Sequence, residues 1–141
     1  MRATTANLGF MLAKAMQRWN ELLLVRFAAN GFPDVRASYG SVLLPLYEQD
    51  ELRMGQLAER SRLSKQSITK LVGLCERDHL VTRERDQADG RAYRVCLTVR
   101  ARDFQRVAES VLAELDDMVL GALGHRDTNA LSKALKGVAE L

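Results

Sequence analysis

Cysteine is scarce in this sequence of 141 residues. Cys75 and Cys96 cannot staple a fold of this size and sit near no histidine, so a disulfide framework is excluded. Long apolar runs are also missing. The longest stretches are a few residues, too short for a membrane span. The N-terminus, MRATTANLGF, lacks an apolar run ending in a small-residue cleavage site, so no secretory signal is expected and the cytoplasm is the inferred location. There is no glycine-rich phosphate loop and no metal-ligand cluster. The two histidines, His79 and His125, stand alone near helix ends, where they read as caps or surface groups rather than catalysts. Neither an enzyme nor a bound cofactor or metal is expected. Internal repeats and low-complexity segments are absent as well.

What remains is ordinary for a globular chain, with 47% hydrophobic and 28% charged residues. The length fits one compact domain, or a core with helical arms. The net charge of +3 hides a segregation of sign. Residues 53–102 hold twelve Lys and Arg against six Asp and Glu, a local +6, while the rest of the chain is net −3. A basic middle between acidic ends implies a polyanionic partner at one site.

Apolar residues at Leu8, Met11, Leu12, Ala15, Met16, Trp19, Leu22, Leu23 and Phe27 predict a helix ending at Gly31, with Pro33 beyond. Asp34 is placed to cap a second helix reaching about Gln49, kinked at Pro45. In MGQLAERSRLSKQSITKLVGLCERDHLV the spacing predicts two short helices around a tight break. Ser64 caps the second, whose apolar stripe is Ile68, Leu71, Val72 and Cys75. Its other face carries Lys65, Gln66, Ser67, Thr69 and Lys70, all hydrogen-bond donors. This is the pattern of a helix-turn-helix. Residues 81–85 and the alternation Tyr93, Val95, Leu97, Val99 predict a β-hairpin, with Asp89-Gly90 as a positive-φ turn. A helix-turn-helix followed by such a hairpin makes a winged helix. Phe104, Val107, Ala108, Val111, Leu112, Leu115, Met118, Val119 and Ala122 then form one helical face. A break near Gly124 precedes a last helix with Leu131, Leu135 and Val138. The long flanking helices have more apolar surface than a small winged core covers, so a second copy of the chain is expected against them.

With these elements in place, the sequence resembles the MarR family of winged helix-turn-helix transcriptional regulators over nearly its whole length. The most specific stretches are LAERSRLSKQSITKLV and DQADGRAYRVCLT, the latter carrying the wing signature at Asp89, Arg91, Leu97 and Thr98. Four departures stand out. Arg62, His79 and Ala101 replace glycines common in the family, and Cys75 replaces a larger aliphatic residue. The fold class is therefore mainly α with a small β-hairpin wing (α+β). It comprises a single chain 1–141, a winged core at 35–100, and dimerisation helices at 4–31 and 101–141.

Duplex DNA is the expected partner, bound by a homodimer at a pseudo-palindromic operator. Gln66 can pair with adenine, and Lys65 or Lys70 can reach guanine or a phosphate. Ser64, Ser67 and Thr69 complete the contacting face, with Ser64 chiefly a cap. The resemblance implies that Arg91 enters a minor groove. Asp89 is expected to orient a nearby arginine. Arg83, Arg85 and Arg94 are left between phosphates and the carboxylates of Glu84 and Asp86, and Arg100 and Arg102 are placed in solvent. The resemblance also implies repression relieved by a small aromatic or phenolic effector between the dimerising helices and the core. Trp19, Tyr39 and Tyr47 would stack on it, and Arg18 or Arg26 would meet its carboxylate. Trp19 also lies on the apolar stripe, a core or dimer-interface position. Two alternatives stay open: a redox-responsive regulator using Cys75 or Cys96, and a winged helix serving protein–protein contact.

Overall fold

The computed structural model describes residues 7–141, so residues 4–6 of the expected first arm lie outside the described residues. Helix α1 (Leu8–Ala29) starts at Asn7, whose side-chain oxygen accepts from the amides of Gly9 and Phe10. It stops at Asn30 because Gly31 takes a φ of 93°, which lets Phe32 N–H turn back to the carbonyl of Phe27. The expected Asp34 cap is absent. A 3₁₀ turn at Ala37–Tyr39 comes first and has no side-chain cap, and only then does α2 (Gly40–Glu48) begin.

Pro45 lies inside α2, yet the helix runs unbroken. A proline there removes the amide that would bond the carbonyl of Ser41, four residues earlier. The hydroxyl of Ser61 donates to that carbonyl instead, at 2.6 Å. Ser61 is the last residue of α3 (Met54–Ser61), so the bond also ties the two helices together.

Between α2 and α3 runs a strand that the sequence pattern did not reveal, β1 (Glu51–Arg53). It pairs antiparallel with β3 (Tyr93–Leu97), which also pairs with β2 (Val81–Arg85), giving the order β1-β3-β2. The wing is thus the outer part of a three-stranded sheet. Leu52, Val81 and Val95 plug the sheet into the core. The recognition helix α4 (Lys65–Arg77) is capped by Ser64, whose Oγ accepts from Ser67 N–H at 3.1 Å. Its Ile68, Val72 and Cys75 are fully buried.

Helix α5 (Val99–Ala139) is capped by Thr98 and interrupted at Gly124, where φ 82° and ψ 166° break the helical geometry at the expected place. α5 packs along α1 through Phe27 and Phe104, whose rings meet edge to face at 4.8 Å. The Phe32 ring also meets Phe104 edge to face, at 5.1 Å.

Candidate nucleic-acid interface

Burial of Ile68, Val72 and Cys75 fixes which way α4 faces. Residues at other helical phases must then point outward. Ser64, Lys65, Gln66, Ser67, Thr69 and Lys70 are accordingly all exposed on one end of the helix. Their hydroxyls are partly engaged: Ser64 Oγ donates to Ser67 Oγ at 2.9 Å, and Thr69 Oγ1 donates to the carbonyl of Lys65 at 2.7 Å. Among the described residues, the side chains of Lys65, Gln66 and Lys70 have no intramolecular hydrogen bond or ion pair. They are the donors this face offers to an incoming ligand.

Beside this face lies an open groove of about 640 Å3 between α3, α4 and the sheet, with Arg53, Gln56, Lys65, Thr69, Arg83 and Arg91 on its walls. Arg91, from the wing loop, and Lys65, from α4, therefore line the same concavity. The wing loop itself departs from the expected hairpin. Gly90 does not have a positive φ, so Asp89-Gly90 is not a two-residue primed turn. The loop spans residues 86–92 and is closed by Asp86 N–H donating to Ala92 O and Ala92 N–H donating to Asp89 O. Asp89 does act on Arg91, but on its backbone: Oδ1 accepts from Arg91 N–H at 3.1 Å. Its carboxylate thus shapes the loop and leaves the guanidinium free to extend.

The arginines divide by whether the fold already supplies an anion. Arg83 Nε lies 3.4 Å from Glu76 Oε1. Arg94 is held between Glu51 and Glu84. Arg85 and Arg91 are exposed with no ion pair among the described residues. Arg102 pairs with Asp50 at 2.6 Å. Arg100 is not in solvent as expected: it is half-buried, stacked over the Phe32 ring at 4.8 Å, and donates to the carbonyl of Asp78 at 3.1 Å. Its first-turn position on α5 turns it inward against the winged core.

Asp86, expected only as a partner for the wing arginines, pairs instead with Arg53, to which the sequence assigned no role. Asp86 is buried, and its carboxylate meets Arg53 Nε at 2.6 Å. The Ala88 amide, donating at 2.9 Å, does most to hold this carboxyl below the usual range; burial opposes it and the Arg53 charge assists. No spacing rule marks this pair, because the alternation of β2 says nothing about a charge just past its end.

The expected effector residues do not gather into one chamber. Tyr39 has no exposed surface, and its hydroxyl donates to Asp78 Oδ2 at 2.5 Å, which makes it a core residue rather than a lining one. Tyr47 is half-buried and donates to Ala101 O at 2.8 Å. Burial, above all, pushes both phenols up to about 12. Trp19 is half-buried against the core cluster. Arg18 is exposed and pairs with Glu21 in the next turn of its own helix, while Arg26 pairs with Glu114 of α5.

Neither cysteine has the low-pKa thiol that a redox sensor needs. Cys75 is sealed, and burial drives its thiol up to about 12. The Cys96 thiol is also raised, by burial first and then by Glu84 and Glu51, which outweigh Arg94. Among the described residues no helix is long and apolar enough to cross a membrane.

Residues 34–92 match the MarR family. The HTH-type transcriptional regulator SarZ of Staphylococcus epidermidis is 30% identical over 70 residues, which cover 50% of this chain and 47% of that protein. The match thus spans about half the length of such curated relatives. Among solved structures, the transcriptional repressor CouR bound to a 23-mer DNA duplex shares a TM-score of 0.80 at 23% identity, covering 99% of each chain. The PcaV transcriptional regulator from Streptomyces coelicolor, in complex with its natural ligand, shares a TM-score of 0.77 at 20% identity, covering 99% of this chain and 98% of that one. At these identities the likeness to the solved structures is one of fold.

Proposed function

We propose that the chain is a member of the MarR family of winged-helix regulators, whose model matches residues 34–92, and that it is a double-stranded-DNA-binding transcriptional repressor. The observation that carries the reading is the shared groove. Lys65 on α4 and Arg91 on the wing line the same groove, and Gln66 and Lys70 project from the same exposed end of α4 without intramolecular partners. A helix fits a major groove, where Gln66 can read an adenine edge and the lysines a guanine or a phosphate. Arg91 then reaches the adjacent minor groove. Arg85 is the other wing cation free for phosphate, whereas Arg83 and Arg94 chiefly neutralise Glu76, Glu51 and Glu84 within the protein.

The working unit is proposed to be a homodimer in the cytoplasm. Leu8, Phe10, Met11, Leu12 and Met16 on α1 are exposed in the single chain, as are Leu123, Leu131, Leu135 and Val138 on α5. Apolar surface of this extent calls for a second copy. A two-fold dimer places its recognition helices on half-sites about one helical turn apart, hence a pseudo-palindromic operator. Relief by a small aromatic acid is proposed, with Trp19 and Tyr47, both half-buried, as separate candidate contacts. No catalytic step is assigned.

The test is selection of a duplex from a random-sequence pool, followed by titration with the wild type and Arg91→Ala. The variant is expected to stay a folded dimer and to lose affinity at least about tenfold. Its log–log salt slope should fall by about 0.9 if the arginine neutralises one phosphate. Unchanged affinity would remove the wing from the site. Trp19, the single tryptophan, reports effector binding by its fluorescence during titration with aromatic acids.

A further inference from the structure

The far end of the recognition helix is fastened to two other elements, and neither fastening belongs to the DNA-contacting face. Asp78, at the C-cap of α4, accepts the hydroxyl hydrogen of Tyr39 from the 3₁₀ turn. Its backbone carbonyl accepts from Arg100 in the first turn of α5. One residue on, the carbonyl of His79 accepts from Thr98 Oγ1 at 2.7 Å. The same hydroxyl oxygen accepts from Ala101 N–H, so a single side chain caps α5 and holds the end of α4. Thr98 N–H also donates to Leu80 O. Arg100 is pinned in turn by the Phe32 ring, which rests on Phe104 of α5.

We infer that Tyr39 and Arg100 are positioning residues that fasten the end of the recognition helix, Tyr39 to the 3₁₀ turn and Arg100 to the long helix α5, so that the geometry of the dimer sets the spacing and tilt at which two recognition helices meet DNA. This rests on the DNA-binding, dimeric reading above. The physical reason is that helix ends left unclamped can pivot. A helix held only by its apolar stripe retains a rocking freedom about its axis. Here the carbonyls of Asp78 and His79, at and just past the end of α4, are bonded to the first turn and the N-cap of the element proposed to join the two copies. A rotation of α5 therefore moves α4 as one body. The residues at issue contact no DNA in this arrangement, so they act only through the helix they hold.

The test uses the full chain and the duplex selected by the wild type, plus versions with one base pair added or removed between the half-sites. Tyr39→Phe keeps the buried ring and removes the bond to Asp78. Arg100→Ala removes the link to α5, and Arg100→Lys keeps a cation over Phe32 and a donor for the carbonyl. For the wild type, affinity should fall steeply when the spacing changes. Tyr39→Phe and Arg100→Ala should bind the parent duplex about tenfold more weakly, in line with losing one hydrogen bond to a charged group. They should also discriminate less between spacings, and Arg100→Lys should recover most of the wild-type profile. Binding to calf-thymus DNA, which depends on charge alone, should be unchanged by Tyr39→Phe. Thermal midpoints guard against misfolding; if Arg100→Ala unfolds, Arg100→Met, which keeps an aliphatic stem over Phe32 without the donor, decides. Spacing profiles parallel to the wild type's in the folded variants overturn the inference. A wild type that selects no duplex overturns the DNA-binding reading itself and this one with it.

Discussion

Arg53 and Asp86 meet at 2.6 Å across the root of the wing, joining the strand that leads into α3 to the residue just past β2. The wing loop hangs from this point: Asp86 also accepts from Ala88 N–H, and its own amide bonds to Ala92 O. The position of Arg91 in the groove thus depends on an acid that touches no ligand. Asp86→Ala should free the loop. Trypsin should then cut after Arg85 or Arg91 faster than in the wild type, with helical circular dichroism unchanged, and affinity for the selected duplex should drop. An unaltered cleavage rate would mean that the loop's own hydrogen bonds hold it without Arg53.

The bond from Ser61 to Ser41 makes a separate prediction about stability. Ser61→Ala leaves the Ser41 carbonyl with no partner, because Pro45 offers no amide. An unsatisfied, half-buried carbonyl costs about 1 to 2 kcal/mol, which urea unfolding resolves. Replacing Pro45 by Ala restores the helical amide. In that background Ser61→Ala should cost much less, so the two substitutions are coupled in a double-mutant cycle. Additive effects would show that the Ser61 bond does not replace the missing one.

Acid should weaken the clamp at the end of α4. Burial alone would raise the Asp78 carboxyl, but the bonds donated by Arg77 and Tyr39 and the charges of Arg77 and Arg36 outweigh it and hold it below the usual carboxylate range. A depressed pKa means that the stabilisation is fully present above the unfolded value, about 3.9, and is lost as the pH falls through the folded one. Asp78 should therefore contribute nothing to pH dependence near neutrality and should sharpen unfolding below about pH 4. Asp78→Asn should flatten that acid limb while lowering stability at pH 7. An unchanged acid limb would show that Asp78 has the same pKa in both states.

The sequence was legible where a periodic pattern and a local cap agreed. α4 could be read because Ser64 precedes a stripe that is buried in the fold, and the exposed donor face follows from that stripe by helical phase alone. Strand β1 could not, because three residues with one buried leucine carry no period, and its partner, Val95 opposite Leu52, lies far along the chain. Departures from the family pattern proved informative in backbone terms. Arg62 and His79, which stand where glycine is common, are the only non-glycine residues with positive φ among those described, at 53° and 61°. Their neighbours demand that conformation: each closes a helix whose following amide, of Leu63 or Leu80, turns back to the helix's last carbonyls. The inward turn of Arg100 left no trace in the sequence, since charge and position both pointed to solvent. Only the placement of Phe32 and Asp78 by tertiary packing decides it.

The thiols give the last prediction. Oxidation by peroxide begins at a thiolate that the reagent can reach. Cys75 fails on both counts, being sealed in the core with its thiol at about 12. Cys96 is half-exposed, but burial and the flanking Glu84 and Glu51 keep it protonated, because the nearby Arg94 is itself occupied by those two carboxylates. A chromogenic disulfide at about pH 8 should modify Cys96 slowly and Cys75 only on unfolding. Millimolar peroxide should leave affinity for the selected duplex intact. Rapid loss of binding that Cys96→Ser abolishes would instead establish a redox switch on β3. It would require the Glu51–Arg94–Glu84 cluster to open in solution, releasing the arginine to stabilise the thiolate.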